Sequence, residues 1–239
     1  MRIDRLLVER GLFESRARAQ AAIQAGLVRA DGVVVSKPSA DIAEAAKIDA
    51  QDVHDYVSRG ALKLEAALEA FGFDPQGCTT LDVGSSTGGF TEVLLRRGAR
   101  HVFAVDVGHE QLHPRLRGHA DITLMEGTDI RNVTPQQLGG PVDMVVTDAS
   151  FISLGQILPP ALACTGAEAR LVALVKPQFE AGRSALKKGI VKDPQVHEQV
   201  CADARALVQA LGWQVQNIIP SPISGGDGNR EFLLGAVHT

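Results

Sequence analysis

The sequence predicts an α/β protein: a mainly parallel sheet preceded by a small α+β unit. Three observations carry this. Strand-length apolar runs alternate with helical patterns from residue 79 onward, which means parallel strands joined by right-handed crossovers. A glycine turn follows the first run, in Leu81-Asp82-Val83-Gly84-Ser85-Ser86-Thr87-Gly88-Gly89-Phe90-Thr91, and an acid, Asp106, ends the second. The first fifty residues have a different pattern, two helices and a hairpin.

Ile3, Leu6, Leu7 and Val8 give a short amphipathic helix that stops at Gly11. Ser15 caps a second helix through Ala25, with Ala19, Ala22 and Ile23 inward. Residues 26–35 read as strand, Asp31-Gly32 turn, strand. Residues 51–58 form a connector, which divides the chain into 1–58 and 59–239. A helix then spans Arg59 to Phe71. Expected strands are 79–83, 101–106, 121–125, 142–147 and 169–175. Helices are expected near 89–97, 111–117, 135–138 and 154–163, then a long one at 194–211. The chain closes with Trp213–Ile219 and Glu231–Val237, joined by the loop Pro220–Arg230, a hairpin-like end to the sheet.

A length of 239 residues suits one ordinary α/β domain and a small extra one. The net charge of −4 gives no global basic field. Arginines nevertheless crowd the first forty residues. Cys78, Cys164 and Cys201 lack metal-binding spacing and read as reduced core thiols of a cytoplasmic protein, with no metal site. No apolar run is long enough to span a membrane, and the first residues lack the apolar stretch of a signal peptide and carry acids as well as bases. Aromatics make up 4% of residues, so no base-stacking platform is evident. A monomer is the favoured state.

Glycines let the backbone approach a ligand closely. An acid at the end of the next strand can hold both hydroxyls of a ribose. Together they point to a nucleoside cofactor across the carboxyl ends of the strands. The spacing Gly84-x-x-x-Gly88-Gly89 departs from the dinucleotide pattern, and Asp82 would repel a pyrophosphate while welcoming a cation. S-adenosylmethionine, with its sulfonium and amino groups, therefore fits better than NAD. A hydride-transferring oxidoreductase is correspondingly disfavoured.

The first unit resembles an S4 RNA-binding domain, including R-x-D-x-x-L at Arg2, Asp4 and Leu7. That resemblance implies RNA contacts through Arg2, Arg5, Arg16, Arg18 and Lys37, with Arg59 beyond the connector. Lys63, Asp148, Lys176 and Glu231 stand in S-R-G-A-L-K-L, in the run ending in S-F-I-S-L, in V-K-P-Q-F-E and in G-N-R-E-F-L-L. Their order is similar to the tetrad of FtsJ-like RNA ribose 2′-O-methyltransferases. The whole chain resembles the TlyA/haemolysin A-type rRNA methyltransferases. The implied fold is a Rossmann-like S-adenosylmethionine-dependent methyltransferase sheet behind an S4 domain. The implied substrate is the ribose 2′-hydroxyl, on cytidine, of ribosomal RNA or ribosomal subunits. Lys63, Asp148, Lys176 and Glu231 become the catalytic positions. Asp82, Gly84, Ser85, Ser86, Thr87, Gly88, Gly89, Phe90, Asp106, Val107, Asp129 and Ile130 become the cofactor positions. Ser85 replaces an expected alanine, and Glu126-Gly127-Thr128-Asp129 replaces a run closer to E-R-T-N.

A lysine can take a hydroxyl proton only when neutral, and bringing one from ~10.4 to ~7.5 corresponds to about 4 kcal/mol. Lys176 is expected to be the base or the orienting group, with Lys63 and Glu231 around it; the two lysines' roles are exchangeable. Two other readings remain at this level. One is an RNA-binding protein that has lost catalysis; the other is the membrane-lytic protein that the haemolysin name suggests.

Overall fold

A computed structural model of the chain describes residues 1–225 and 228–238. It divides into two compact units, Met1–Asp55 and the remainder from Tyr56.

The first unit contains α1 (Ile3–Glu9), α2 (Arg16–Gln24), β1 (Val28–Ala30), β2 (Val33–Val34) and β3 (Ile48–Ala50). Ser15 caps α2, its side chain accepting from the Arg18 N–H. The β1–β2 turn is tight because Asp31 and Gly32 both take left-handed backbone, at φ 49° and 81°. Ile3, Leu7, Ala19, Ala22, Ile23 and Val28 make the core. β3 is not evident in the sequence. Its three residues alternate too briefly to announce a strand, and only pairing with β1 makes them one.

The second unit contains α3 (Gly60–Phe71), β4 (Thr79–Val83), α4 (Gly89–Arg96), β5 (His101–Val105), β6 (Ile122–Met125) and β7 (Val142–Thr147). Then come α5 (Leu154–Leu162), β8 (Thr165–Val175), α6 (Pro177–Glu180), α7 (Pro194–Ala210), β9 (Trp213–Pro220) and β10 (Phe232–His238). The seven strands lie in the order β6-β5-β4-β7-β8-β10-β9. The first five are mutually parallel, and β10 runs antiparallel to both its neighbours. One face packs on α5 and α7 through residues such as Leu81, Val145, Leu158 and Val208. The other packs on α3 and α4 through Leu64, Leu68, Val93 and Met144. Both faces are therefore dry, which is why the strands read as continuous apolar runs.

Several expectations need correction. Residues 111–117 are turns, not a helix. The Glu126 carboxylate accepts from the N–H groups of Glu110, Gln111 and Leu112, and Leu112 and Leu116 pack beside Val57. Pro114 and the flanking Gly108 and Gly118 discourage a longer helix. Residues 135–138 are also turns; the Gln137 side chain accepts from the Thr134 N–H and hydroxyl instead. A single 3-10 turn, Ile130–Asn132, precedes them. β8 begins at Thr165, four residues before its expected start.

Tyr56, Val57 and Ser58, assigned to the connector from the sequence, are tied to the second unit. The Val57 N–H donates to Glu92 at 2.6 Å, and the Tyr56 hydroxyl to Glu65 at 2.6 Å. Among the cysteines only Cys164 is buried; Cys78 and Cys201 are half-buried. Burial still pushes the Cys201 thiol up to about 11. The expected loop Pro220–Arg230 includes positions 226 and 227, which lie outside the described residues. No helix among the described residues is long and apolar enough to cross a membrane, and no group of three or more potential metal ligands occurs among them.

Candidate active site

Four side chains from distant parts of the sequence meet at the carboxyl end of the central strands. Lys63 comes from the first turn of α3, Asp148 from just after β7, Lys176 from just after β8, and Glu231 from just before β10. Lys63 Nζ lies 2.7 Å from Glu231 Oε2 and 3.3 Å from Asp148 Oδ2. Lys176 Nζ lies 2.6 Å from Asp148 Oδ1 and donates to the Asp148 carbonyl and to Ser150 Oγ, at 3.0 and 2.9 Å. Lys63, Lys176 and Glu231 are buried and Asp148 is partly exposed. The result is a continuous chain, Glu231–Lys63–Asp148–Lys176, with two ammoniums balanced by two carboxylates. An ammonium has three donors. Lys176 already faces three oxygens, whereas Lys63 faces two.

This chain lines a cleft of about 380 Å³, with Arg59, Gln178, Phe179 and Ser224 around it. A second cleft, of about 650 Å³, adjoins it and shares Gly84, Ser86, Asp148, Ser150 and Phe151. Asp106, Val107, Gly108, Gln111, Thr128, Asp129 and Ile130 line the second cleft. The loop between β4 and α4 forms the ridge between the two. At Gly84 φ is 80°, and an added Cβ would lie 2.8 Å from the Ala149 Cα, so no side chain is tolerated there. Asp106 receives the Ser86 N–H at 2.8 Å and the Gly108 N–H at 2.7 Å. A carboxylate offers about four acceptor sites. Two remain, held in a fixed direction, and a ribose diol needs two. Apolar Ile130, Ile152 and Ile157 in the same cleft suit a flat ring. The residues present therefore fit an adenosyl group.

Not every proposed cofactor residue reaches the clefts. Ser85, Ser86, Thr87, Gly89 and Phe90 line the first. Gly88 lies behind the loop, packed on Leu112 and Leu116. Asp82 is fully buried and accepts from the Thr91 hydroxyl at 2.7 Å. Burial pushes its carboxyl up to about 7, against the Thr91 hydrogen bond, with the Asp148 and Asp106 charges adding to burial. It underlies the loop and does not face a cation in the cleft. Asp129 lines the second cleft, but its carboxylate is paired with Arg131 at 2.6 Å. That pairing, with the Arg131 backbone N–H, holds it below the usual carboxylate range.

Sequence reasoning misses Phe151. It is 90% exposed, has φ 66°, borders both clefts and lies 5.1 Å from the Phe179 ring. A scarcity of aromatics overall hides one placed where stacking matters. The sequence signal is its position three residues after Asp148. Ser150 and Gln178 are also missed; Gln178 approaches Glu231 at 3.5 Å.

In the first unit the proposed RNA contacts divide into two groups. Asp4 is fully buried, and Arg2, Arg16 and Gln20 all donate to it, Arg16 at 2.7 Å. Burial opposes its ionisation, but these hydrogen bonds prevail and hold it well below the usual carboxylate range. Arg18 is paired with Asp52 at 2.7 Å and with Glu14. Arg2, Arg16 and Arg18 thus have structural partners. Arg5 and Lys37 are exposed, as is Arg59, which borders the tetrad cleft of the second unit.

The family model for the FtsJ-like methyltransferases matches residues 56–237, and that for the S4 domain matches residues 1–45. The chain is 44% identical over 236 residues to the 16S/23S rRNA (cytidine-2′-O)-methyltransferase TlyA of Mycobacterium tuberculosis, covering 98% of this chain and 88% of that one. It is 36% identical over 235 residues to Hemolysin A of Brachyspira hyodysenteriae, covering 98% of each. A candidate hemolysin from Streptococcus thermophilus has a solved structure that superposes with a TM-score of 0.79 at 40% identity, covering 100% of this chain and 88% of that one. With a Rossmann-like sheet whose strand-end clefts hold the tetrad, the chain belongs to the FtsJ-like methyltransferase family, in the form that carries an S4 domain ahead of the transferase domain.

Proposed function

We propose that the protein methylates the ribose 2′-hydroxyl of a cytidine in ribosomal RNA, using S-adenosylmethionine. The observation that carries this is the Glu231–Lys63–Asp148–Lys176 chain, opening beside the cleft that fits an adenosyl group. The similarity to TlyA supports the choice of substrate and base. When bound, S-adenosylmethionine supplies an electrophilic methyl group on a sulfonium, already a good leaving group. Asp106 would hold its ribose, and Val107, Ile130 and Ile157 its ring. The chain's own residues then have one main task, to aim an oxygen in line with the methyl group. A 2′-hydroxyl that takes the place of Ser150 Oγ would be held by Lys176 Nζ. Its proton would pass to Lys176 Nζ as Lys176 gives one of its own to the Asp148 carboxylate, so that the pair takes up one proton net. Lys63 and Glu231 fix Asp148 from the other side. Phe151 offers an exposed ring face at the mouth, against which an unstacked base can rest. Exposed Arg5 and Lys37 would contact phosphates from the S4 domain.

The test is methyl transfer from labelled cofactor to purified 30S and 50S ribosomal subunits, followed by alkaline hydrolysis. Hydrolysis needs a free 2′-hydroxyl, so the expected product is a linkage resistant to alkali at a cytidine. A methylated base on an alkali-labile ribose would overturn the reading.

A further inference from the structure

The segment between α6 and α7 folds back on itself beside the tetrad. Lys187 and Ile190 form an isolated antiparallel bridge, with backbone hydrogen bonds of 3.0 and 3.2 Å in the two directions. The corner residues Lys188 and Gly189 both have left-handed backbone, at φ 54° and 80°, as a tight two-residue hairpin requires. This turn is bolted down. Buried Asn229 donates from Nδ2 to the Gly189 carbonyl at 3.0 Å, and its Oδ1 accepts from the Val191 N–H at 3.1 Å. His197, also buried, lies 3.1 Å from the Val191 carbonyl. Asn229 stands two residues before Glu231, so the turn is held to the segment leading into β10, which carries one end of the tetrad.

The side chains on this mount are all of one sign. Lys187, Lys188 and Lys192 are exposed, and none is in an ion pair among the described residues. No aspartate or glutamate occurs from residue 181 through 192, in a chain whose net charge is −4. A merely solvated lysine turn requires no buried asparagine clamp. Resting on the RNA reading above, we propose that the Lys187–Lys192 hairpin is a phosphate-binding element of the methyltransferase domain, which grips the RNA backbone beside the target nucleotide. Lysine ammoniums are compact point charges. Such contacts position a nucleic acid without reading its bases. The hairpin supplies register at the reacting end, separately from the S4 domain.

The test compares the full-length chain with its Lys187→Ala/Lys188→Ala/Lys192→Ala variant, using purified 30S and 50S subunits as probe over a range of salt. Binding is expected to weaken by about 10–10²-fold near ~0.1 M salt, and the log–log salt slope to become shallower by about 2–3, roughly one for each phosphate no longer neutralised. Cofactor affinity by calorimetry and the melting temperature should not change. The corresponding triple Lys→Arg variant should bind like the wild type. An alanine variant with unchanged affinity and slope overturns the proposal, as does one whose cofactor binding falls in parallel. Methyl transfer by the wild-type chain tests the functional reading separately. A wild-type chain that binds subunits without methylating them removes that reading alone, and one that binds neither subunit removes both.

Discussion

Asp106 and Lys176 in the clefts, and Asp82 buried beneath them, show how differently three ionisable residues can act. Asp106 lines the second cleft and has two acceptor sites held by backbone N–H groups, which leaves two for a ligand. Asp106→Ala should weaken S-adenosylmethionine binding by about 2–4 kcal/mol, the worth of two charge-assisted hydrogen bonds. Unchanged affinity by calorimetry would exclude it from the cofactor site. Lys176→Ala should keep cofactor and RNA binding but lower turnover by about 10²–10⁴-fold, measured in single-turnover assays with the substrate bound. Asp82 touches neither cleft, and its effect is on stability. Its carboxyl is raised to about 7 in the folded chain, against about 3.9 unfolded. Between these values the folded state holds a proton that the unfolded state has released, so stability falls as pH rises from about 4 to about 7. The upper bound is roughly 4 kcal/mol. Asp82→Asn should flatten the urea stability profile across that window; a profile as steep as the wild type's would show that Asp82 does not titrate there.

At the scale of elements, the Gly84 turn and the α1–α2 pair are the sensitive places. The Gly84 backbone is left-handed and pressed against Ala149, which belongs to the loop carrying Asp148, Ser150 and Phe151. Gly84→Ala should therefore disturb both clefts together, with loss of cofactor binding and a lowered melting temperature. A variant with normal affinity would show that the loop can shift at little cost. In the first unit, α1 and α2 are joined across buried Asp4 by Arg16 and Gln20. A carboxylate held low supports the fold fully above its unfolded value and loses that support as pH falls through the folded one. The first unit should thus lose stability below about pH 4. Arg16→Ala should destabilise it by about 1–3 kcal/mol, because a buried carboxylate loses a charged partner. RNA contacts are better probed at exposed Arg5 and Lys37, where substitution should weaken subunit binding and leave urea stability unchanged.

For the whole molecule, the division between units governs any dissection. The family models meet the same division, ending the S4 match at residue 45 and beginning the methyltransferase match at 56. A fragment must begin at Tyr56, because Val57 is hydrogen-bonded to Glu92 and Ser58 packs on Gly89 of the cofactor loop. Residues 56–239 should bind S-adenosylmethionine but fail to methylate ribosomal subunits. Full-rate methylation by the fragment would show that the S4 domain has no part in substrate docking.

Local sequence was sufficient for the strands of the parallel sheet, for the Asp31-Gly32 hairpin of the first unit and for the Ser15 cap of α2. The tetrad was reached through the resemblance of its motifs to a family, not through period or turn chemistry. What tertiary structure alone decided was where polar groups find partners. Asp82 has a cofactor-facing position in the motif, yet Thr91 lies behind it and the carboxylate turns into the protein. Arg2, Arg16 and Arg18 read as a basic face, yet acids elsewhere in the first unit pair with them. β3 is a strand only because β1 is beside it, and residues 111–117 form turns that pack Leu112 and Leu116 against Val57. Periodicity is a property of neighbours along the chain, whereas the partner of a charge or a backbone donor is settled by which segments the folded core brings together.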